Sequence, residues 1–388
     1  MRFAFSDEQD QLRRALRRAL DDAGGVAAAR RAMASEVGHD AALWRVLGRD
    51  LGLAGLLAPE ALGGAGLGWV EVVAVMEELG AVVAAVPFFA TVALAGAALQ
   101  VAADDAQRRA LWPTLARGDA TATVAYLAPG ADPGADVVGA AARAVDGGHL
   151  LSGTLRAVVD GATADLVLVA ATDAAGDVAL YAVAGDAAGL TRRRVSTMDQ
   201  TRALAELTLD DVRVAATARL AAGGRDVVAR VLDLARIALA AEQLGGAQRC
   251  LDLAVDYAKV RHQFGRPIGS FQAVQHACAD MFVAVESARS AAYHAGWAAD
   301  QDLPALAEVA AATSAFCGDA FFRVAGDTIQ VHGGIGFTWE HDAHLYFKRA
   351  RASRALLGAP ASQRERVAHH LGLGVEATAT AMATAPGT

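Results

Sequence analysis

The sequence predicts an α+β chain of several domains, with a helical region first, a β region next and a helical bundle last. Three observations predict it. Apolar residues recur at helical spacing up to about residue 120. Short apolar or alternating runs separated by Gly, Asp and Pro fill residues 121–224. Long helical segments then return from residue 225, in a chain of 388 residues that is long enough for two or three domains.

The first region, residues 1–120, is predicted to be an all-α domain. Ser6 with Gln9 three residues later is typical of a helix start, and residues 41–57 and 69–82 carry helical apolar spacing. The Gly-rich segment 59–68 lacks both a preceding strand and the GxGxxG spacing of dinucleotide binding. We therefore expect it to be a tight connection between helices.

The middle region, residues 121–224, is predicted to be a β-barrel or β-sandwich domain, with a loop at 130–139. Six short runs have the apolar or alternating character of strands: TATVAYLA, HLLSGTLRAVVDG, DLVLVAATD, DVALYAVAG, GLTRRRV and ALAELTLDDVRV.

The last region, residues 225–374, is predicted to be a four-helix bundle. Four segments, each long enough to pack in an antiparallel bundle, lie at 225–260, 271–299, 304–330 and 340–371. Residues 375–388 are small and lean toward polar, which predicts a flexible tail.

Composition excludes several classes of protein. A net charge of -8 argues against nucleic acid as a partner, because phosphate binding needs a basic face. Charged residues interrupt every long apolar stretch, so we expect no membrane span. The amphipathic start is not a signal peptide, and Cys250, Cys278 and Cys317 show no disulfide or zinc spacing. A cytoplasmic protein is expected on these grounds.

Two segments, 256–281 and 330–350, resemble the acyl-CoA dehydrogenase family. The first contains RHQFGRPIGSFQ, on the pattern RxQFGxPIxxFQ, and the second contains QVHGGIGF, on the pattern QxxGGxGF. PEALGGAGLG at 59–68 and EELG at 77–80 are also similar to the family. The resemblance implies an α–β–α chain, FAD as cofactor and an acyl-CoA as substrate.

The resemblance also implies an FAD contact that crosses a dimer interface to the neighbouring subunit. Arginine offers a planar charged fork to pyrophosphate, and glutamine offers an amide donor. Glycine lets the backbone approach the cofactor closely. The residues that match the family's cofactor contacts are Arg261, Gln263, Phe264, Gln330, Gly333 and Gly334.

The family's catalytic base is missing. In this family a glutamate removes the α-proton of the thioester while a hydride leaves the β-carbon for the flavin. The two positions at which the family places that glutamate correspond to Leu357 and to Ala235, which precedes Arg236. Neither side chain accepts a proton, so no catalytic residue is assigned, and Glu242 is the fallback candidate.

The β region also departs from the family near the expected flavin. A TEPxxGSD-like loop is replaced by LAPGADPGAD at 127–136, and a Trp and a Thr are replaced by Ala157 and Val159. A flavin placed here loses a packing face and a hydrogen bond, each worth about 1–3 kcal/mol when buried.

The chain keeps the residues that match FAD contacts to a neighbouring subunit and lacks those expected at its own active site. In this respect it resembles the base-lacking β-type chain of actinobacterial steroid-degrading acyl-CoA dehydrogenases, which are α2β2 assemblies. The similarity includes AAEQLGGAQ at 240–248 and GGIGFTWEHD at 333–342. It implies a homologous partner subunit that carries the base and whose FAD this chain supports. An electron-transferring flavoprotein is the electron acceptor that the family implies.

Two alternatives stay open at this point. The chain could be a self-sufficient homo-oligomeric dehydrogenase with a relocated base, or the fold could be reused for another flavin-dependent tailoring reaction. His332, His341 and His344 lack a fourth ligand at a suitable spacing, so we expect no metal site.

Overall fold

The computed structural model describes residues 5–134 and 137–373. The predicted order of helical, β and helical regions is confirmed. The α-helices of the first region are α1 (Asp7–Asp22), α2 (Val26–Met33), α3 (Ala41–Trp44), α4 (Trp69–Ala81), α5 (Ala97–Ala102) and α6 (Asp105–Ala116).

Of two predictions for this region, the structure confirms one and contradicts the other. Ser6 and Gln9 form a reciprocal capping box at the start of α1, as predicted. The single helix predicted over 41–57 is wrong: α3 continues as a π-helical turn over Arg45–Asp50 and then breaks before a 3-10 turn at Leu53–Gly55. Gly52 lies between them with φ at 70°, a left-handed conformation that ends a helix.

The predicted β region is confirmed, and its eight strands form one sheet. The strands are β1 (Ala122–Ala125), β2 (Ala140–Val145), β3 (Gly148–Val159), β4 (Leu166–Thr172), β5 (Val178–Ala184), β6 (Leu190–Val195), β7 (Leu204–Ala215) and β8 (Arg219–Gly223). Their order is β6-β7-β3-β2-β4-β5-β8, with β1 pairing parallel to β4. The sequence did not predict β2 and β8, because both are short and Ala-rich, without β-branched or aromatic runs.

Strand β4 shows how the sheet joins the helical regions. Val167 and Val169 belong to the core of the β region, whereas Leu168 and Ala170 belong to the core shared with the helices. Successive side chains of a strand point to opposite faces, so a strand covered on both faces is a continuous apolar run. The sheet is therefore packed against the helices through one of its faces.

The last region contains α7 (Arg225–Val260), α8 (Gln272–Asp300), α9 (Leu306–His332), α10 (Ala343–Leu356) and α11 (Pro360–His370). The segment predicted as one helix over 340–371 is two helices, since Gly358 has φ at 109° and Pro360 starts α11. No helix in the described part of the chain is both long and apolar enough to cross a membrane. The predicted tail, 375–388, lies outside the described residues.

Close packing of α4 on α7 fixes the bundle to the first region. A Cβ added to Gly80 would lie 2.1 Å from the Glu242 carbonyl oxygen, and one added to Gly245 would lie 1.8 Å from that of Glu77. Only glycine permits this approach. The expected domain boundaries at 120/121 and 224/225 stay predictions; they fall between α6 and β1 and between β8 and α7.

Candidate functional site

The RxQFG motif forms a small hairpin that projects beyond the end of α7. Its strands are β9 (His262–Gln263) and β10 (Arg266–Pro267), paired antiparallel. Phe264 and Gly265 form the two-residue tip with φ at 52° and 78°, as a tight hairpin turn requires. Phe264 is 92% exposed, and a positive φ is uncommon for a bulky residue. An exposed aromatic side chain is thus held in a strained conformation at the tip, a combination that often marks a functional surface.

The polar side chains of the hairpin are open to solvent. Arg261 is exposed, and no carboxylate of the described residues lies within ion-pair distance of its guanidinium. Gln263 donates from Nε2 to the His262 carbonyl oxygen at 2.9 Å, which leaves its own Oε1 available. The hairpin therefore presents one uncompensated positive charge beside one amide.

The QxxGG motif ends α9 and forms an exposed turn. Gln330 is exposed on the last turn of α9, and a 3-10 turn follows over Gly333–Phe337. A Cβ added to Gly333 or Gly334 would meet no atom within 4 Å, so both glycines face open space. A ligand can approach the backbone here because nothing shields it.

A ring stack brings the two motifs together. Tyr257, four residues before Arg261, stacks on His332, which directly precedes Gly333, with ring centroids 4.4 Å apart. The hairpin 261–267 and the turn 333–339 therefore form one surface, which we call the motif face. It also carries apolar side chains that are exposed, among them Phe337 at 75% and Trp339 at 60%.

The two expected base positions also meet in space, but inside the core. Ala235 is fully buried in α7, and Leu357 is buried at the joint between α10 and α11. The Arg236 Nε donates to the Leu357 carbonyl oxygen at 2.9 Å, which joins the two segments. A carboxylate that the sequence analysis did not single out, Asp233, lies on the same helix. It accepts hydrogen bonds from Arg236 at 2.7 Å and from Arg366 at 2.8 Å.

A second buried cluster, which we call the arginine–glutamate cluster, lies between the sheet and the helices. Glu242 of α7 pairs with Arg202 through one oxygen and with Arg349 of α10 through the other, the latter at 2.9 Å. Arg349 also pairs with Asp199 at 3.0 Å, and the Arg202 guanidinium lies 5.1 Å from the Phe89 ring centre. The cavity beside the cluster has a volume of only about 20 Å³.

Charge in this cluster is balanced within the protein. Burial alone would raise the pKa of Glu242, but Arg202 and Arg349 hold it below its usual value. Burial raises the pKa of neighbouring Asp160 to about 6, partly offset by Arg202 and Arg349. Glu242 is therefore an ionised carboxylate with both oxygens occupied, an arrangement that favours a structural ion pair over proton transfer.

The segments that replace the family's flavin contacts also pack within the chain. The Val159 carbonyl oxygen accepts a hydrogen bond from Thr123 at 2.7 Å, and Ala157 has φ at 53° in a strand irregularity. The loop at 127–134 reaches the start of α11, where Ser362 donates to Asp132 at 3.4 Å. Residues 135–136 of the predicted loop lie outside the described residues.

The three histidines contact aromatic rings. Among the described residues, no group of three or more His, Cys, Asp or Glu is arranged to hold a metal. The His341 ring lies against the His332 ring with centroids 4.3 Å apart and planes tilted by 47°, and the His344 ring meets the Trp339 ring at 4.6 Å.

Family models match the two helical regions, and a relative matches nearly the whole chain. The model "Acyl-CoA dehydrogenase, N-terminal domain" matches residues 6–119, and "Acyl-CoA dehydrogenase, C-terminal domain" matches residues 222–372. Acyl-CoA dehydrogenase IpdE2 of Mycobacterium tuberculosis is 37% identical over 354 residues, 91% of this chain and 94% of that protein.

Two solved structures of complexes are similar over almost the full length. The ChsE4-ChsE5 complex from Mycobacterium tuberculosis has a TM-score of 0.88 at 31% identity, covering 96% of this chain and 100% of that one. A variant of the Tcur3481-Tcur3483 steroid ACAD has a TM-score of 0.85 at 33% identity, covering 95% and 98%.

Proposed function

This chain belongs to the acyl-CoA dehydrogenase family, and on that premise we propose that it is a base-lacking subunit of a heteromeric enzyme. A homologous partner chain supplies the catalytic glutamate and binds FAD, and this chain completes the partner's FAD site. The complex desaturates an acyl-CoA thioester between its α- and β-carbons. One observation carries the proposal. The motif face is open to solvent and Arg261 has no ion pair to the described residues, whereas the region of the arginine–glutamate cluster is filled by the chain's own side chains.

The motif face fits the adenosine and pyrophosphate half of FAD. The free guanidinium of Arg261 matches the charge of a pyrophosphate, and an arginine fork binds phosphate oxygens well. Gly333 and Gly334 leave the backbone accessible, and Gln330 adds an exposed amide beside them. Because this surface is exposed on a single chain, it is suited to a cofactor that a second chain carries.

The cavity beside the arginine–glutamate cluster does not fit an isoalloxazine ring. Ligand sites for molecules of that size typically have volumes of about 300–1,000 Å³. The cavity beside the arginine–glutamate cluster is about 20 Å³, close to the volume needed for one water. Arg202 and Arg349 fill this region, and each pairs with a carboxylate of the same chain.

The carboxylates of Asp233 and Glu242, which lie on the same helix as Ala235, are each paired with two arginines. Leu357 and Ala235 are apolar, and Asp233 is engaged by two arginines. Glu242, the fallback candidate, is engaged by two more. These contacts favour the heteromer over a homo-oligomer with a relocated base.

The roles that we propose for FAD and for the residues of the motif face follow from these contacts. FAD, when bound, accepts the hydride that leaves the β-carbon of the substrate. Arg261 neutralises pyrophosphate charge, and the two glycines let backbone N–H groups approach it. Phe264 and Phe337 supply apolar area that excludes water at the subunit boundary.

A steroid thioester is the substrate class we propose, with an electron-transferring flavoprotein as acceptor and an α2β2 assembly. The similarity to the Tcur3481-Tcur3483 steroid ACAD and to the ChsE4-ChsE5 complex supports it. Both are named as pairs of different chains, which agrees with a division of the site between two chain types.

The test is the amount of FAD per chain. The chain purified alone should carry almost no flavin absorbance, and FAD should be recovered when a glutamate-bearing dehydrogenase encoded by a neighbouring gene is co-expressed. About one FAD per chain in the isolated protein, with turnover of an acyl-CoA, would overturn the proposal.

Substitution of Arg261 sharpens this test. In the complex, Arg261→Ala should weaken FAD binding by about 10- to 100-fold, because a charge-assisted hydrogen bond contributes roughly 1.5–3 kcal/mol. Flavin fluorescence titration measures the change. Arg14→Ala is the matched control, since Arg14 is an exposed arginine of α1 with no ion pair to the described residues, and it should leave FAD affinity unchanged.

A further inference from the structure

The two halves of the motif face are joined by side chains and not by backbone. The hairpin's backbone hydrogen bonds are local, from Arg261 to Tyr257 and from Ile268 to Arg261. Those of the turn are also local, as from Gly333 to Gln330 and from Thr338 to Ile335. The segments follow the ends of α7 and α9, which pack along each other, and the stack of Tyr257 on His332 is the ring contact beside both segments.

His332 is held rigidly in this stack. It is 5% exposed, and its Nδ1 lies 2.8 Å from the Thr328 carbonyl oxygen one turn earlier on α9. A carbonyl only accepts, so Nδ1 carries the proton. The rings of Tyr257 and His332 are nearly parallel, at 26°, which is the offset-stacked geometry of a stabilising ring pair.

His341 contacts His332 with its ring tilted by 47°, and it connects the ring pair to two further helices. Its Nδ1 accepts a hydrogen bond from the Ala343 backbone at 3.1 Å, at the start of α10. Arg30 of α2 donates to the His341 carbonyl oxygen at 3.0 Å and pairs with Asp342 at 2.8 Å. The far side of the turn is thereby fixed to both the bundle and the first region.

We infer that Tyr257, His332 and His341 form a positioning stack that sets the spacing between Arg261 and the Gly333–Gly334 backbone, and so sets the affinity of the complex for FAD. The inference rests on the proposed function. The three residues do not touch the cofactor themselves. They hold two groups that are 72 residues apart in the chain in a fixed position relative to each other.

The isolated chain gives the first test. If the stack couples the two segments, Tyr257→Ala on α7 should speed amide hydrogen exchange in the turn 333–338, on the other side of the contact. Tyr257→Phe, which keeps the ring, should exchange like the wild type. Unchanged exchange in the turn of Tyr257→Ala, with a normal melting temperature, would overturn the inference without any partner chain.

The second test uses the complex and flavin fluorescence titration. Tyr257→Ala and His332→Ala should weaken FAD binding by about three- to tenfold, as expected for loss of an aromatic pair, while the mass of the complex stays the same. Tyr257→Phe and His332→Phe should stay within about twofold, because the ring and not the polar atom is required. Equal losses in the Phe and Ala variants would contradict a stacking role.

The result separates this inference from the proposed function. If Arg261→Ala weakens FAD binding and the Ala variants of the stack do not, the stack has no positioning role and the proposed function stands. If Arg261→Ala also binds FAD normally, the proposed function fails.

Discussion

Helix α7 has two parts with opposite properties. Its middle carries Ala235 and Glu242, which are buried and packed against other parts of the same chain. Its end leads through Tyr257 to Arg261 and Phe264, which are both exposed to solvent. The first part packs within this chain, and under the proposed function the second part presents groups to a partner chain.

The physical requirements of the two parts explain the difference. A buried site without a ligand leaves a cavity or an uncompensated charge, and both are costly, so side chains of the chain itself have to fill it. An exposed ligand contact carries no such cost, since water solvates it. Exposed apolar side chains such as Phe264 and Phe337 bring little stability to an isolated chain, and their exposure agrees with the proposed assembly.

The largest expected effect comes from returning a carboxylate to the buried part. Ala235→Glu places a charged, longer side chain at a fully buried position, and we expect the free energy of unfolding to fall by more than about 4 kcal/mol. Urea denaturation measures it. Ala229→Glu, near the start of the same helix and only partly buried, is the control and should be nearly neutral. A stable Ala235→Glu chain that dehydrogenates an acyl-CoA with its own FAD would contradict a purely structural role for the buried part of α7.

Removal of Glu242 tests whether the cluster is structural. Glu242→Ala leaves Arg202 without its carboxylate and Arg349 with one fewer, which should destabilise the chain by about 3 kcal/mol. Glu206→Ala, which removes a partly exposed partner of Arg193, should cost less than about 1 kcal/mol.

A second substitution of Glu242 tests whether this residue has a catalytic role in the complex. Glu242→Gln should keep the activity of whatever complex still assembles. Loss of turnover in a fully assembled complex with normal FAD content would instead identify Glu242 as a relocated base.

A smaller effect is expected at Asp160 and depends on pH. Burial raises its pKa from 3.8 to about 6, so the folded chain favours the neutral acid more than the unfolded chain does. The contribution of Asp160 to stability is full below about pH 4 and is lost as the pH rises through 6. Asp160→Asn should therefore match the wild type near pH 4 and be more stable by about 2 kcal/mol at pH 7.5. Parallel urea titrations at both pH values would reveal a pH-independent difference if this is wrong.

The smallest effect on stability is expected on the motif face. Phe337→Ser should change the free energy of unfolding of the isolated chain by no more than about 0.5 kcal/mol, because the side chain is largely exposed. The same substitution should weaken the complex with the partner chain, which analytical ultracentrifugation measures. A large loss of stability in the isolated chain would show that the surface serves this chain's own fold.

Much of the fold could be predicted from local pattern. The capping box of α1, the length of α7 and six of the strands follow from residues close together in sequence. The break at Gly358–Pro360 was present in the sequence too, but the apolar spacing on both sides concealed it. Strands β2 and β8 were not predicted because alanine carries little β preference, and pairing with neighbouring strands decides their conformation.

The sequence by itself determined the order of the regions, the two motifs and the absence of a carboxylate at Leu357 and Ala235. These depend on residue identity and spacing alone. Only the tertiary structure decided that Glu242 meets Arg349, 107 residues away, and that Tyr257 stacks on His332. Such contacts depend on how helices distant in sequence pack and on which rotamers that packing allows, and no local pattern encodes either. The difference between a filled interior and an open motif face is therefore a property of the folded chain.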